Sequence, residues 1–236
     1  MDIGVFTLSL AEWTAVRLTL RIAATATAVS LPFGIAVAYG LARWQFPGKG
    51  LIDGLVHLPL VLPPVVTGYM LLLVLGRKGV IGSVLADTFG IVFSFRWTGA
   101  AVAAGIMGFP LMVRAIRLSI ENIDRRLEAA SGTLGAPPVA TFFLVTLPLA
   151  LPGIIAGAIL SFAKALGEFG ATITFVSNIP GETQTISALI YTYTQVPDGD
   201  IGAMRLMLVA TAIALIALVS SEMMHRQAQR RLTVAP

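Results

Sequence analysis

The sequence contains no cysteine and has few charged residues for its length. Charged side chains make up 12% of the 236 residues, against about 25% in a typical soluble domain. Without cysteine the chain has no disulfide and no cysteine-based metal or redox site. The two histidines, His57 and His225, lie far apart in the sequence, so a histidine metal site is not expected either.

Nucleotide-binding and nucleophile motifs are also missing. There is no Gly-x4-Gly-Lys-Ser/Thr loop, no Gly-x-Ser-x-Gly elbow and no dinucleotide fingerprint. The chain is therefore predicted not to be an enzyme and to bind no cofactor of its own. A net charge of +4 is compatible with nucleic-acid binding, but the cations are scattered over loop ends, without a basic stripe or zinc-finger spacing.

Apolar residues are abundant. They make up 56% of the chain, and the mean hydropathy is +0.87. Because a soluble protein of this length cannot bury so much apolar surface, we predict an all-α, polytopic membrane protein with a single transmembrane domain over residues 1–236. Five apolar runs are long enough to cross a hydrocarbon core of about 30 Å. They cover residues 13–42, 52–76, 96–119, 147–178 and 203–224.

The distribution of lysine and arginine predicts the orientation of the chain. One side of the membrane receives most of the cations, namely Arg43, Lys49, Arg114, Arg117, Arg125, Arg126, Arg226, Arg230 and Arg231. The other side receives Arg77, Lys78 and Arg96, with Arg17, Arg21 and Arg205 at the ends of spans. Since cytoplasmic loops are enriched in cations, we predict a periplasmic N-terminus and a cytoplasmic C-terminus. Residues 1–10 lack the features of a secretory signal.

The second run contains three prolines, Pro59, Pro63 and Pro64, within six residues. Each removes a backbone donor and clashes with the preceding turn. A break in a helix at membrane depth is tolerated only where protein or a water-filled cavity satisfies the freed carbonyls. The sequence therefore predicts a bent helix that lines a cavity.

Two opposite charges lie inside the fourth run. Lys164 and Glu168 are four residues apart and are predicted to share one helical face. Because lone charges in hydrocarbon are costly, they are expected to pair inside the bundle. The pair either fixes helix packing or borders a permeation path. In the same run, the spacing of Gly153 and Gly157 favours the close approach of a second helix, and Thr172 offers its hydroxyl to a path or to its own backbone.

The polar stretch from Glu121 to Pro148 separates the third and fourth runs. A charged helical segment ends at Gly135, and two prolines follow. The spacing resembles the cytoplasmic signature loop of ABC importer permeases, which reads Glu-Ala-Ala, three residues, Gly, nine residues and Ile-x-Leu-Pro. When aligned on Gly135, Val145-Thr-Leu-Pro148 fits the second half. In the first half, Ala129 stands at the family's glutamate position and Glu128 lies one residue earlier.

This resemblance implies a type I ABC importer permease fold. In that family the loop forms a short coupling helix that docks on an ATP-hydrolysing subunit. Here the loop covers about residues 121–147. The residues expected to couple to the ATPase are Arg125, Arg126, Glu128, Ala129, Ala130, Gly132, Leu134, Gly135 and Pro137.

Longer stretches are similar to the molybdate ABC transporter permeases. They are residues 31–35, 46–49, 57–65, 109–118 and 167–183. This resemblance implies a homodimer in the bacterial inner membrane, two cytoplasmic subunits that bind ATP and magnesium, and a periplasmic molybdate-binding protein that docks on the loops at 77–95 and 179–202. The resemblance also implies a gate region over residues 167–170. Together with the charged pair and the threonine of the fourth run, the candidates for the permeation path or gate are Lys164, Gly167, Glu168, Phe169, Gly170 and Thr172.

Other substrates and other classes of protein are the alternatives to this interpretation. Related permeases carry tungstate or sulfate, so the substrate within the oxyanions stays open. An ion-driven secondary transporter would usually show internal repeats, and five spans do not divide into two equal halves. A membrane-embedded enzyme would need a cluster of titratable groups at one depth, and only Lys164 and Glu168 come close to that.

Overall fold

The structure, a computed structural model, describes residues 7–233, and this range consists of helices and turns without β-strands. The helices are α1 Leu10–Arg43, α2 Lys49–Val61, α3 Pro64–Leu75, α4 Val80–Phe89, α5 Trp97–Glu121, α6 Arg125–Thr133, α7 Pro138–Thr141, α8 Leu147–Leu166, α9 Gly170–Val176, α10 Ile186–Tyr193 and α11 Asp200–Thr233. A π-helical segment, Phe142–Thr146, joins α7 to α8. Residues 1–6 and the side chains of Arg226, Arg230 and Arg231 lie outside the described part.

Four helical stretches are long and apolar enough to span a membrane: α1, α5, the continuous helix Pro138–Leu166 and the first part of α11. The pair α2 and α3 forms a fifth, bent by 115°. This pair crosses the bundle from end to end. At its start, Asp53 binds Arg117 near the end of α5. At the end of the pair, Gly76 lines the same cavity as Phe95, a residue just before the start of α5. The predicted break at the prolines is confirmed.

The prediction for the fourth run is wrong at both ends. The helix that was expected over 147–178 already begins at Pro138 and stops at Leu166, and α9 follows as a separate helix. The loop expected over 121–147 is correspondingly shorter. The chain breaks after Leu166 because the carboxylate of Glu168 accepts the Ala171 N–H at 2.9 Å, which satisfies a donor in the first turn of α9. Hydropathy does not reveal this break, because apolar residues continue through it.

Three long helices, α1, α5 and α8, form the centre of the bundle. Close approach of α8 to α5 depends on glycine. A Cβ on Gly157 would lie 2.8 Å from the backbone oxygen of Met112, and a Cβ on Gly153 would collide with the side chain of Ser119. The predicted role of this glycine pair in helix packing is confirmed, and the partner helix is α5.

Polar contacts between α1, α10 and α11 stabilise the end of the bundle where α1 begins. Ser9 and Glu12 form a capping box at the start of α1. Glu12 is fully buried and binds Arg205 of α11 at 2.9 Å. The Thr19 hydroxyl accepts the Ile186 N–H at 2.8 Å. Because the other end of α1 contacts α6 through Arg43 and Glu128, the start of α1 and the α6 helix lie at opposite ends of the molecule.

Candidate functional site: the coupling helix and the paired helix breaks

The predicted coupling segment is helix α6. Its first turn is capped by Asp124, whose side chain accepts the Arg126 N–H at 2.9 Å. The helix ends before Gly135, which has a φ of +88°. Glycine adopts that left-handed conformation without strain. Pro137 and Pro138 then start the next helix at once, so α6 is a short helix between two sharp turns.

Most residues expected to couple to an ATPase are exposed on this unit. They are Arg125, Arg126, Ala129, Ala130, Gly132, Leu134, Gly135 and Pro137. Leu134 is 88% exposed at its tip. The surface of α6 is thus exposed, with arginines in its first turn and an apolar leucine just after its end.

Glu128 is the exception, because its side chain turns toward the bundle. Its carboxylate binds Arg43 Nε at 3.0 Å, and the two side chains are 18% and 8% exposed. It also accepts the Thr146 hydroxyl at 2.7 Å. Arg43 in turn donates to the Ile123 carbonyl at 3.3 Å. We call Arg43, Glu128 and Thr146 the α6 clamp.

A second contact holds the other end of α6. The Ser131 and Thr141 hydroxyls are 3.0 Å apart, which ties the helix to α7. Sequence reasoning missed the clamp partners and Thr141. Arg43 lies 85 residues from Glu128, so no local spacing pattern connects them. The only signal was the position of Arg43 in a basic turn on the same predicted side as the loop.

The ion pair predicted in the fourth run forms, but its two residues do not lie on one helical face as expected. Lys164 Nζ lies 3.0 Å from Glu168 Oε2, with Glu168 2% exposed and Lys164 32% exposed. The two residues do not share a helix, because α8 stops at Leu166. Glu168 reaches back across the break, so one carboxylate pairs with a lysine on α8 and caps α9.

The two broken spans meet at their breaks. A Cβ on Gly170, at the start of α9, would lie 2.7 Å from Pro64 Cβ at the start of α3. One turn further along, a Cβ on Gly68 would collide with the Ala171 backbone. The helices α3 and α9 thus cross where a glycine on each leaves room for the other. We call this contact the paired break.

The remaining gate candidates lie around the paired break. Phe169 packs on Tyr191 with ring centroids 5.3 Å apart. Thr172 donates its hydroxyl to the Phe169 carbonyl at 2.8 Å, which supports the backbone-bonding interpretation for this residue. Gly167 is exposed, and a Cβ there would meet nothing within 4 Å.

The sequence of the chain matches the model of one protein family. Residues 30–234 match the family described as the binding-protein-dependent transport system inner membrane component. The chain belongs to this family. The resemblance that rests on the signature loop is thereby confirmed.

Individual relatives agree with the family. The chain is 57% identical over 220 residues to the molybdenum transport system permease protein ModB of Escherichia coli (strain K12), covering 93% of this chain and 96% of that protein. It is 38% identical over 176 residues to the sulfate transport system permease protein CysW of Synechococcus elongatus, covering 75% of this chain and 61% of that protein.

A solved structure shows the same fold. A bacterial ABC transporter involved in the import of the acidic polysaccharide alginate superposes with a TM-score of 0.75, at 18% identity. The match covers 96% of this chain and 84% of that one. The predicted all-α ABC importer permease fold is confirmed.

Proposed function

We propose that this chain is the transmembrane subunit of an ATP-driven importer that carries molybdate across the bacterial inner membrane by alternating access. The observation that carries the proposal is the 57% identity, over nearly the whole of both chains, to a molybdenum transport permease. Tungstate and sulfate are the alternative substrates. The 38% identity between this chain and a sulfate permease supports sulfate as one of them.

The working importer contains two copies of this chain, two cytoplasmic ATPase subunits and a periplasmic molybdate-binding protein. The exposed α6 surface with Leu134 at its tip supports docking of an ATPase subunit. The sequence has no phosphate-binding loop. ATP and magnesium therefore bind to the partner, and this chain converts its movement into transport.

The proposed orientation rests on the position of α6. With the coupling helix in the cytoplasm, five crossings place the N-terminus in the periplasm and the C-terminus in the cytoplasm. The loop that contains α4 and the segment around α10 then face the binding protein. The excess of lysine and arginine on the α6 side supports this orientation.

The paired break is the candidate gate. Hinge movements are absorbed by a few residues at the ends of helices, often small ones, and the paired break contains such residues on both spans. Lys164 and Glu168 sit beside this contact. Because the lysine is already paired, it leaves little net positive charge for an oxyanion, so its main role is to hold the break in shape.

The ATPase activity of the reconstituted importer tests the function. The permease and its ATPase subunit are placed in liposomes with binding protein that is empty or loaded with molybdate, tungstate or sulfate. We expect loaded molybdate protein to stimulate hydrolysis, with little response to sulfate. An equal response to sulfate would keep the importer and exclude molybdate selectivity, whereas a folded permease that binds no ATPase subunit would overturn the coupling role of α6.

A further inference from the structure

A large cavity in the described part of the chain lies away from the paired break. It has a volume of about 660 Å³ and is bounded by α1, α2 and α5. Apart from the hydroxyls of Thr25, Ser30 and Thr98, its lining is almost entirely apolar. A dianion inside it would find no charge to compensate its own. The cavity is therefore unsuited to the transported oxyanion.

Two arginines lie above the cavity on the same face of α1. Arg17 and Arg21 are one helical turn apart and both are exposed. The next residues on this face, Thr25 and Val29, line the cavity itself. The Arg21 guanidinium lies 3.7 Å from the ring centre of Trp97, which lines the cavity from the α5 side.

Among the side chains that the structure describes, no carboxylate forms an ion pair with either of these two arginines. The ion pairs found there involve other residues, and Arg205, the arginine near the same end of α1, binds the buried Glu12. An uncompensated pair of guanidinium groups at the rim of an apolar cavity is complementary to a molecule with an anionic head and an apolar tail.

The depth of the arginines in the membrane fits such a molecule. Between Arg21 and Arg43, α1 carries no charged residue, and this stretch spans about 33 Å, close to the ~30 Å hydrocarbon thickness. Arg21 therefore lies at one boundary of the hydrocarbon and Arg43 at the other. Trp97 and its contact with Arg21 are also typical of a membrane interface.

The length of the cavity matches one leaflet. It follows α5 from Trp97 to Phe109, a rise of about 18 Å, whereas half of the hydrocarbon core is about 15 Å. An acyl chain that descends from the interface would run along this groove beside α2, whose residues are otherwise not buried.

We propose that the cavity between α1, α2 and α5 binds an anionic phospholipid from the leaflet opposite the α6 clamp. Arg17 and Arg21 bind the phosphate headgroup, and one acyl chain fills the cavity between α2 and α5. The lipid supplies the packing that α2 lacks within this chain. It thereby fixes the half of the bent span that leads to the paired break.

Native mass spectrometry of the full-length chain tests the site. The protein is released from nanodiscs that contain equal amounts of phosphatidylglycerol and phosphatidylcholine with identical acyl chains. We expect the wild type to retain phosphatidylglycerol preferentially. Arg17→Gln/Arg21→Gln should reduce that preference by about fivefold for each guanidinium removed. Arg17→Lys/Arg21→Lys should keep most of it, because the charge remains.

Two further variants separate the headgroup from the cavity. Arg77→Gln/Lys78→Gln removes two exposed cations that do not line the cavity, and it should leave the preference unchanged. Val102→Trp fills the cavity and should reduce retention of both lipids alike. Circular dichroism and gel filtration establish that each variant is folded.

Several results would overturn the proposal. The wild type could show no preference for phosphatidylglycerol, or Arg17→Gln/Arg21→Gln could keep the full preference. Spontaneous disulfides between copies that carry Val29→Cys would show that a second copy covers the groove instead. Since the chain has no native cysteine, such a cross-link would have one interpretation.

Discussion

One carboxylate, that of Glu128, joins α6 to two other helices. It binds Arg43 at the end of α1 and Thr146 just before α8. The three side chains come from distant parts of the sequence, yet together they determine where α6 sits. If α6 docks on an ATPase subunit as proposed, a push on it would reach α1 and α8 through short polar contacts rather than through a loose loop.

Breaking the α6 clamp should uncouple hydrolysis from transport. In Glu128→Gln the Thr146 contact can persist, but the ion pair with Arg43 is lost. Removal of one charged hydrogen bond costs about 1–3 kcal/mol, and a free energy of this size corresponds to roughly a tenfold change. We therefore expect molybdate uptake to fall by roughly tenfold, while ATP hydrolysis by the assembled importer continues. Uptake and hydrolysis are measured side by side in proteoliposomes.

The exchanged pair Arg43→Glu/Glu128→Arg provides the control, and it should recover part of the uptake that either single reversal loses. Arg125→Gln is a second control, because Arg125 is exposed on α6 and lies outside the clamp. This variant should leave the thermal stability of the protein unchanged. If the exchanged pair were no better than the single variants, the clamp would not depend on this ion pair.

The pair at the fourth-span break gives a second prediction at this scale. Lys164→Met leaves the carboxylate of Glu168, which is 2% exposed, without its lysine. We expect a loss of about 1–3 kcal/mol in stability, seen as a lower melting temperature in detergent. Lys164→Met/Glu168→Gln should recover much of it, since glutamine still accepts the Ala171 N–H. Equal melting temperatures for the two variants would argue against an electrostatic role.

At the scale of helices, the contact between α8 and α5 depends on the absence of side chains. In Gly157→Ala the added Cβ would press on the Met112 carbonyl, so we expect overpacking to cost about 1–3 kcal/mol. Gly167→Ala is the matched control. Its φ is −93°, and its Cβ would meet nothing within 4 Å. Thermal unfolding of both variants should show a clear loss in the first and little change in the second.

The turn after α6 gives another helix-scale prediction. Gly135→Trp places a bulky side chain in a left-handed conformation beside the docking surface, and uptake should be abolished while membrane insertion continues. Gly135→Asn is the control, because asparagine tolerates this conformation, and it should retain most uptake. Normal uptake in Gly135→Trp would place the ATPase interface elsewhere.

Sequence reasoning found the elements that local patterns determine. Hydropathy identified five spans, and three prolines identified the break between α2 and α3. The break at Gly167 was missed because it is stabilised by a side-chain contact of Glu168 within an apolar stretch. The inward orientation of Glu128 was missed for a related reason, since its partner Arg43 is distant in sequence and only the fold brings the two together.

At the scale of the whole molecule, the proposed topology makes a prediction that the absence of cysteine makes easy to test. Gly132→Cys on α6 and Thr88→Cys on α4 are both at exposed positions. In intact cells with a permeabilised outer membrane, a membrane-impermeant maleimide should label only Thr88→Cys. Gly132→Cys should react after the inner membrane is opened. The reverse pattern would invert the proposed orientation.

The bent span also has a consequence for how the protein is made. With 13 and 12 residues, α2 and α3 are about 20 and 18 Å long, and neither alone crosses a 30 Å hydrocarbon layer. In the finished protein α3 packs on α9, which is synthesised about a hundred residues later. We expect this segment to leave the ribosome second among the spans and to reach its final position only after α9 has been inserted. The order of assembly in the bilayer thus differs from the order of translation.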